Sequence, residues 1–237
     1  MKKLKRLTSA FNRYKRSKGF GIHSPFAFNF VLCVLKERLP YYAYDDIGQR
    51  RTKAIGMASK ISRHPGVMSL KNAKMLFRIA CHFNPSSMLQ IGTSYGLSAT
   101  TLLDVSSSSH LYIFTGYALD TTKYQYITSP YSNRIHSFTT IEETVDAYTK
   151  SLNGEQPFVL INEVCDNEID RCRTIAMDSI CNEGVVIVRN LSKSEAAGRL
   201  WRDIMAQTNH GMGFSNGRIA VFVGYKHLPK QHYSLWF

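Results

Sequence analysis

The stretch "LQIGTSYGLSAT", residues 89–100, links a short apolar run to a helix-like run through a turn that contains two glycines. Gly92 and Gly96 allow the backbone to pass close to a ligand, and Thr93 and Ser94 add hydrogen-bonding side chains. The run "LSATTLL" would then begin a helix whose N-terminus carries partial positive charge. Such a turn suits a nucleotide, although the same glycines would also serve a plain strand-to-helix connection.

From about residue 68 onward, the chain around this turn alternates between helical and strand patterns. The segment "SLKNAKMLFRIACHF" has apolar residues at helical spacing, and the short apolar runs are "SMLQIG", "HLYIFTG", "RIHSFTT", "PFVLIN" and "GVVIVRN". This βαβαβ alternation predicts an α/β fold with a doubly wound, mostly parallel, Rossmann-like sheet. Asn216 and Gly217 lie between two β-prone runs and predict an antiparallel hairpin at the end of the sheet.

Residues 1–60 differ from the rest, and we expect them to form a basic, helical N-terminal extension that precedes an α/β domain in residues 61–237. The first 18 residues carry eight Lys or Arg and no acid. Ser24 and Pro25 make a good helix-opening pair, and the apolar residues that follow favour a helix that covers a face of the domain.

The composition bears on partners and location. The net charge of +13 indicates an affinity for anions. The basic arm could be a solvated segment or a patch for nucleic acid, anionic lipid or an acidic protein. No apolar run approaches the ~18 residues of a membrane-spanning helix, and five irregularly spaced cysteines fit neither a disulfide framework nor a zinc ribbon. A cytoplasmic location is therefore expected.

The glycine turn also carries a resemblance to a known family. The run "IGTSYGLSATTLL" resembles the first motif of class I S-adenosylmethionine-dependent methyltransferases, in the branch that reads acid-x-Gly-Thr-x-x-Gly-x-Ser and includes small-molecule O-methyltransferases. The segments "GFGIHSPFAF" and "KQHYSLWF" are similar to the ends of bacterial methyltransferase-like proteins, so the resemblance spans nearly the whole chain. It implies S-adenosylmethionine as cofactor, held by Gln90, Gly92, Thr93, Ser94, Tyr95, Gly96, Thr115, Gly116 and Asn162.

The chain departs from the family where carboxylates are expected at the strand ends. Gln90 replaces the acid of the first motif, Thr115 and Gly116 stand where an acid normally accepts the ribose hydroxyls, and Asn162 replaces an aspartate. Losing two charge-assisted hydrogen bonds would weaken cofactor binding on the order of 100-fold. Arg189 places a cation where metal-dependent relatives bind a divalent ion, so we expect no catalytic metal.

Two further groups have uncertain roles. The acids after the fourth strand could return a carboxylate to the pocket or form a solvated helix start; they are Glu163, Asp166, Glu168 and Asp170. His23 and His232 lie in the two terminal motifs and could be capping residues, core residues or a general base.

Two functional hypotheses follow. The chain is either a methyltransferase that acts on a small-molecule acceptor, with no residue assignable as catalytic base, or a non-catalytic methyltransferase-like fold that binds an anionic partner, such as nucleic acid or an acidic protein, through the basic arm or the altered pocket. A homodimer is compatible with either. An NAD-type Rossmann enzyme is the weakest alternative, because the glycine spacing is wrong and no acid stands ~20 residues further on.

Overall fold

A single eight-stranded sheet organises the molecule. The computed structural model describes residues 14, 18–58, 67–116 and 121–237, without the side chains of 121–123. The strands follow the order β3-β2-β1-β4-β5-β7-β6-β8 across the sheet. Their bounds are β1 Ser87–Ile91, β2 His110–Phe114, β3 Ile135–Phe138, β4 Phe158–Ile161, β5 Val185–Arg189, β6 Met212–Ser215, β7 Ile219–Val223 and β8 Gln231–Ser234.

Strands β1 to β5 pair in parallel, and β7 lies antiparallel to both β5 and β6. Asn216 and Gly217 form the turn between β6 and β7, as the sequence predicts. This arrangement confirms the predicted α/β class, with a mostly parallel sheet that ends in an antiparallel hairpin.

Helices cover both faces of the sheet, which explains why β1, β4, β5 and β7 are buried along their whole length. The helices are α1 Pro25–Phe30, α2 Tyr44–Ala58, α3 Leu70–Phe83, α4 Leu97–Leu103, α5 Thr121–Thr128, α6 Ile141–Ser151, α7 Ile169–Cys181 and α8 Glu195–Gln207. Residues of α1 to α5 belong to the hydrophobic cluster on one face, and residues of α6 to α8 belong to the cluster on the other. None of the helices described is both long and apolar enough to cross a membrane.

The N-terminal extension packs directly on the α/β core. Ser24 caps α1 by accepting a hydrogen bond from the Ala27 N–H, with Pro25 in the first turn, as predicted. A π-helical turn, Val31–Leu35, continues α1. The ring of Phe30 is fully buried and lies 5.0 Å from that of Phe214, centroid to centroid. Most of the basic arm and the proposed boundary at residue 60 lie outside the described residues, so the division at 60/61 stays a prediction.

The chain returns to the sheet edge at its end. Strand β8 runs parallel to β6, and after it Leu235 and Phe237 are buried, whereas Trp236 is 59% exposed. The two histidines of the terminal motifs are both exposed, so neither is a core residue. His232 lies 3.0 Å from the Ser215 hydroxyl, Nε2 to Oγ, which ties β8 to β6.

Candidate functional site

The predicted glycine turn lies at the carboxyl end of β1, in the middle of the parallel part of the sheet. Four of its five residues have positive φ: Gly92 (85°), Ser94 (44°), Tyr95 (57°) and Gly96 (78°). This conformation is unfavourable for Ser94 and Tyr95, so it persists only because the surroundings enforce it. Strained backbone of this kind is typical of ligand-binding turns.

Glycine is required at positions 92 and 96 because φ is positive there and because neighbouring atoms leave no room for a Cβ atom. A Cβ on Gly92 would lie 2.8 Å from the Glu163 Cβ, and a Cβ on Gly96 would lie 3.0 Å from the Thr128 Cγ2. Any other residue would therefore push away the segment after β4 or the end of α5.

Gln90 and Asn162, near the ends of β1 and β4, stand where the family has acids, and their side chains form hydrogen bonds with the backbone of the turn. Gln90 Nε2 and Asn162 Nδ2 both donate to the carbonyl oxygen of Gly92, at 2.7 and 3.1 Å, and Asn162 Nδ2 also donates to Ser98 Oγ. The Oε1 atom of Gln90 is buried and has no hydrogen-bond partner among the described residues. A buried acceptor without a partner is costly, so it is a natural contact for a ligand N–H or O–H group.

Arg189, at the end of β5, places a buried cation next to the glycine turn and Asn162. Its Nη1 atom donates to Asn162 Oδ1 at 2.5 Å and to Ser94 Oγ at 3.0 Å, and the residue is only 4% exposed. Burial lowers the pKa of Arg189 to about 10, although the charge of Glu163 works in the opposite direction. The guanidinium therefore keeps its charge at neutral pH and fixes the amide of Asn162.

Glu163 supplies a carboxylate to the turn. Its side chain lies over Gly92, where its Oε2 atom is 3.0 Å from the position of a Cβ on that residue. Burial raises the pKa of Glu163, whereas the backbone N–H of Ser94 and the charge of Arg189 lower it. Glu163 therefore brings a carboxyl group to the turn, which is compatible with the interpretation that an acid after β4 supplies the pocket.

The remaining acids of that cluster each pair with an arginine. Asp166 pairs with Arg199 and Asp170 with Arg173 at exposed positions, and the less exposed Glu168 pairs with Arg171. These acids fit the other interpretation, a solvated helix start.

The end of β2, where the family binds the ribose, offers only neutral groups among the described residues. Thr115 Oγ1 donates to the Phe138 carbonyl at 2.9 Å, so its oxygen keeps the capacity to accept. A Cβ on Gly116 would collide with the Phe114 ring and lie 3.0 Å from the Thr139 carbonyl oxygen. An acid cannot replace Gly116 without moving that ring, and Asp120 lies outside the described residues.

A cavity of about 360 Å³ opens beside Arg189, between the start of α3 and the segment after β5. Arg189, Lys193 and Arg218 give its wall three cations, and Ser69 and Asn72 contribute neutral polar groups. None of the described residues that line the cavity is acidic. The cavity therefore suits an anionic molecule.

The structure brings the predicted cofactor residues to neighbouring strand ends, and it ties Asn162 to the turn. Both ends of the Asn162 amide are engaged within the protein, and its Oδ1 atom, which accepts from Arg189, keeps one further acceptor position. Sequence reasoning noted Arg189 as a cation near a metal position and missed its contacts with Asn162 and Ser94. No cluster of three or more metal-ligating His, Cys, Asp or Glu side chains occurs in the part of the chain that the structure describes.

Comparison with known proteins places this geometry in a broader context. No protein-family model and no curated protein matches the chain. Among solved structures, the cofactor-bound protein Rv0187 from MTB is 14% identical, with a TM-score of 0.56 over 78% of this chain and 98% of its own. The O-methyltransferase TomG from Streptomyces achromogenes, in complex with SAM, is 12% identical, with a TM-score of 0.51 over 79% and 92%. The SAH-bound methyltransferase from Podospora anserina is 11% identical, with a TM-score of 0.52 over 79% and 98%. The chain therefore has the fold of the class I, O-methyltransferase-like S-adenosylmethionine-dependent methyltransferases.

Proposed function

We propose that this protein is a cytoplasmic methyltransferase that binds S-adenosylmethionine across residues 92–96 and transfers its methyl group to a small anionic acceptor. The observation that carries the proposal is the strained turn at the end of β1, with a carboxylate and a guanidinium beside it. Structural neighbours that were solved with SAM or SAH support the choice of cofactor.

The charged groups fit the amino-acid end of this cofactor, which carries one ammonium and one carboxylate. Glu163 offers an anion beside the turn, Arg189 offers a cation, and Gln90 Oε1 offers an unused acceptor. The ribose end would rely on the neutral hydroxyl of Thr115, so this part of the site contributes less to affinity than a carboxylate would.

Catalysis would depend mainly on positioning. When bound, the cofactor supplies a methyl group on a sulfonium that is already a good leaving group. The protein's contribution is to hold the acceptor in line, and the cavity lined by Arg189, Lys193 and Arg218 is the place proposed for it. Its three cations favour an acceptor that bears a carboxylate or phosphate.

The test is isothermal titration calorimetry with S-adenosylmethionine and S-adenosylhomocysteine. We expect micromolar binding to the wild type and a loss of at least about tenfold for Gly92→Ala, since the new Cβ displaces Glu163. Gly154→Ala is the matched control, because Gly154 has the same positive φ (84°) but open space around its Cβ position. Absence of binding up to millimolar concentrations would overturn the proposal.

A second candidate is a non-catalytic protein that uses the same fold to bind an anionic partner, either nucleic acid or an acidic protein, at its basic arm, alone or as a homodimer. The engagement of the Asn162 amide by Gly92, Ser98 and Arg189 favours it, because the protein itself uses groups that a cofactor would need. Under this alternative, the calorimetry gives no heat with either cofactor form, while the full chain still binds a polyanion such as heparin.

A further inference from the structure

A second cationic cavity lies apart from the site at the strand ends. It encloses about 400 Å³ between the end of the π-helical turn, the first half of α3 and the last two residues of the chain. We call it the basic cavity, and its charged and aromatic wall is formed chiefly by Lys36, Arg38, Lys71, Lys74, Arg78 and Trp236. It shares no lining residue with the cavity beside Arg189.

The cations on the wall of the basic cavity outnumber its acidic side chains by five to one. None of the five forms an ion pair within the described residues. Asp120, beyond β2, is the only acid in the parts of the chain that are not described. Glu37 is the one acidic side chain among the described residues of the wall. Its carboxylate accepts hydrogen bonds from the backbone N–H groups of Arg38 and Leu39.

Arg78 forms a fixed cationic wall of this cavity. Its three guanidinium nitrogens donate to the carbonyl oxygens of Val34 and Leu35 and to the hydroxyl of Tyr44, at 2.6, 3.0 and 2.8 Å. These partners are neutral and hold the buried guanidinium in place, and the opposite charge that acts on it from the same wall is that of Glu37.

The pKa of Lys36 reflects the burial and mutual repulsion of these cations. Burial lowers the pKa of Lys36, and the charges of Arg38, Lys18 and Lys71 lower it further. Cations that disfavour one another in a partly enclosed space are stabilised when an anion enters.

An aromatic surface adjoins these cations. Trp236 is 59% exposed on the wall of the cavity, and Tyr14 is 43% exposed on the same wall. An exposed indole next to cations is suited to a planar ring whose anionic groups reach those cations.

We propose that the basic cavity binds a small ligand that combines an aromatic ring with two or more phosphate groups, the chemistry of a nucleoside polyphosphate. The volume lies within the usual range for small-molecule sites, about 300–1,000 Å³. The ring would stack on Trp236, and the phosphates would contact Lys36, Lys71 and Arg38.

Fluorescence titration tests this proposal, because Trp236 is exposed and the chain's other tryptophan, Trp201, is only 7% exposed. The full chain is titrated with guanosine triphosphate and with inorganic tripolyphosphate, with S-adenosylhomocysteine present so that the strand-end site does not compete for the nucleotide. We expect the nucleotide to quench Trp236 at micromolar concentrations and tripolyphosphate to bind more weakly. Equal affinity for the two would overturn the aromatic part of the proposal.

Two paired variants separate a specific site from general charge attraction. Lys36→Gln with Lys71→Gln should weaken nucleotide binding by at least about tenfold, through two lost charge-assisted contacts. Lys150→Gln with Lys226→Gln removes the same charge at exposed positions outside the cavity and should change the affinity less than about twofold. Equal losses in both pairs, no binding up to millimolar nucleotide, or preferential binding of a single-stranded oligonucleotide would overturn it. Lys36 and Lys71 line the basic cavity and not the cavity beside Arg189, so the difference between the two variant pairs tests the basic cavity separately from S-adenosylmethionine binding at the strand ends.

Discussion

At the scale of single residues, Arg189 changes what the strand ends can do. A buried guanidinium at this edge contacts Asn162 and Ser94, and the charge of Glu163 acts on it. One cation and one anion next to the turn suit a zwitterionic amino-acid group, and the same cation disfavours a divalent metal.

A pair of histidines at the sheet edge predicts how stability responds to acid. His110 Nδ1 and His136 Nε2 lie 3.2 Å apart, and the His136 ring stacks on Tyr112. Burial, followed by the charge of His110, lowers the pKa of His136. The folded state therefore binds fewer protons than the unfolded state just below the ordinary histidine pKa of 6.5, so stability falls as the pH drops through that value.

We expect His136→Phe to reduce that loss, because it keeps a ring on Tyr112 and removes the titrating group. The wild type should lose more stability than the variant between pH 7.5 and 5.5, by less than about 1 kcal/mol given the solvent exposure of the pair. Urea unfolding at both pH values measures this difference. His82, whose pKa burial also lowers, remains in the variant, so some acid sensitivity should persist. An equal loss in both proteins would contradict the assignment.

At the scale of helices and strands, side chains join the carboxyl ends of β1, β4 and β5 into one unit. Gln90 is the penultimate residue of β1, Asn162 follows β4 and Arg189 ends β5, and all three contact the glycine turn or one another. A ligand at this edge would therefore meet a rigid surface. The end of β2 has no such link to the turn through Thr115, whose hydroxyl bonds to β3 instead.

The cap of α6 gives an element-scale prediction. Thr140 Oγ1 accepts a hydrogen bond from the Glu143 N–H at 3.3 Å and donates one to Glu143 Oε2 at 2.8 Å. Thr140→Ala should lower the free energy of unfolding by about 1 kcal/mol, because the first turn of α6 loses its cap. Thr139→Ala, one position earlier and also exposed, is the control and should have little effect in the same urea titration. Equal effects would show that the cap is not the cause.

Local patterns predicted most of these elements, since helical periodicity, apolar runs, the Ser24-Pro25 pair and Asn216-Gly217 are all set by neighbouring residues. Contacts between distant residues could not be predicted in this way. Arg189 and Ser94 are 95 positions apart, and no local pattern records their hydrogen bond. The parallel pairing of β8 with β6 likewise depends on where the whole sheet ends. Beyond β8, the exposed Trp236 lies between the buried Leu235 and Phe237.

At the scale of the whole molecule, the net charge is +13, and cationic side chains line two separate cavities. The start of α3 contributes to both, with Asn72 beside Arg189 and Lys71 in the basic cavity. The positive field of the chain should therefore draw anionic ligands toward this end of α3, most strongly at low ionic strength.

The N-terminal extension and the α/β core should unfold as one cooperative unit, because α1 belongs to the same hydrophobic cluster as the strands. Phe30 is 1% exposed and contacts the rings of Phe83 and Phe214. Phe30→Ala should cost about 3–5 kcal/mol and shift a single unfolding transition, monitored in parallel by tryptophan fluorescence and circular dichroism. Phe28→Ala, in the same helix but at a residue that is 40% exposed, should cost much less. Two separate transitions, with only the earlier one sensitive to Phe30, would instead mean that residues before the α/β core fold as an independent domain.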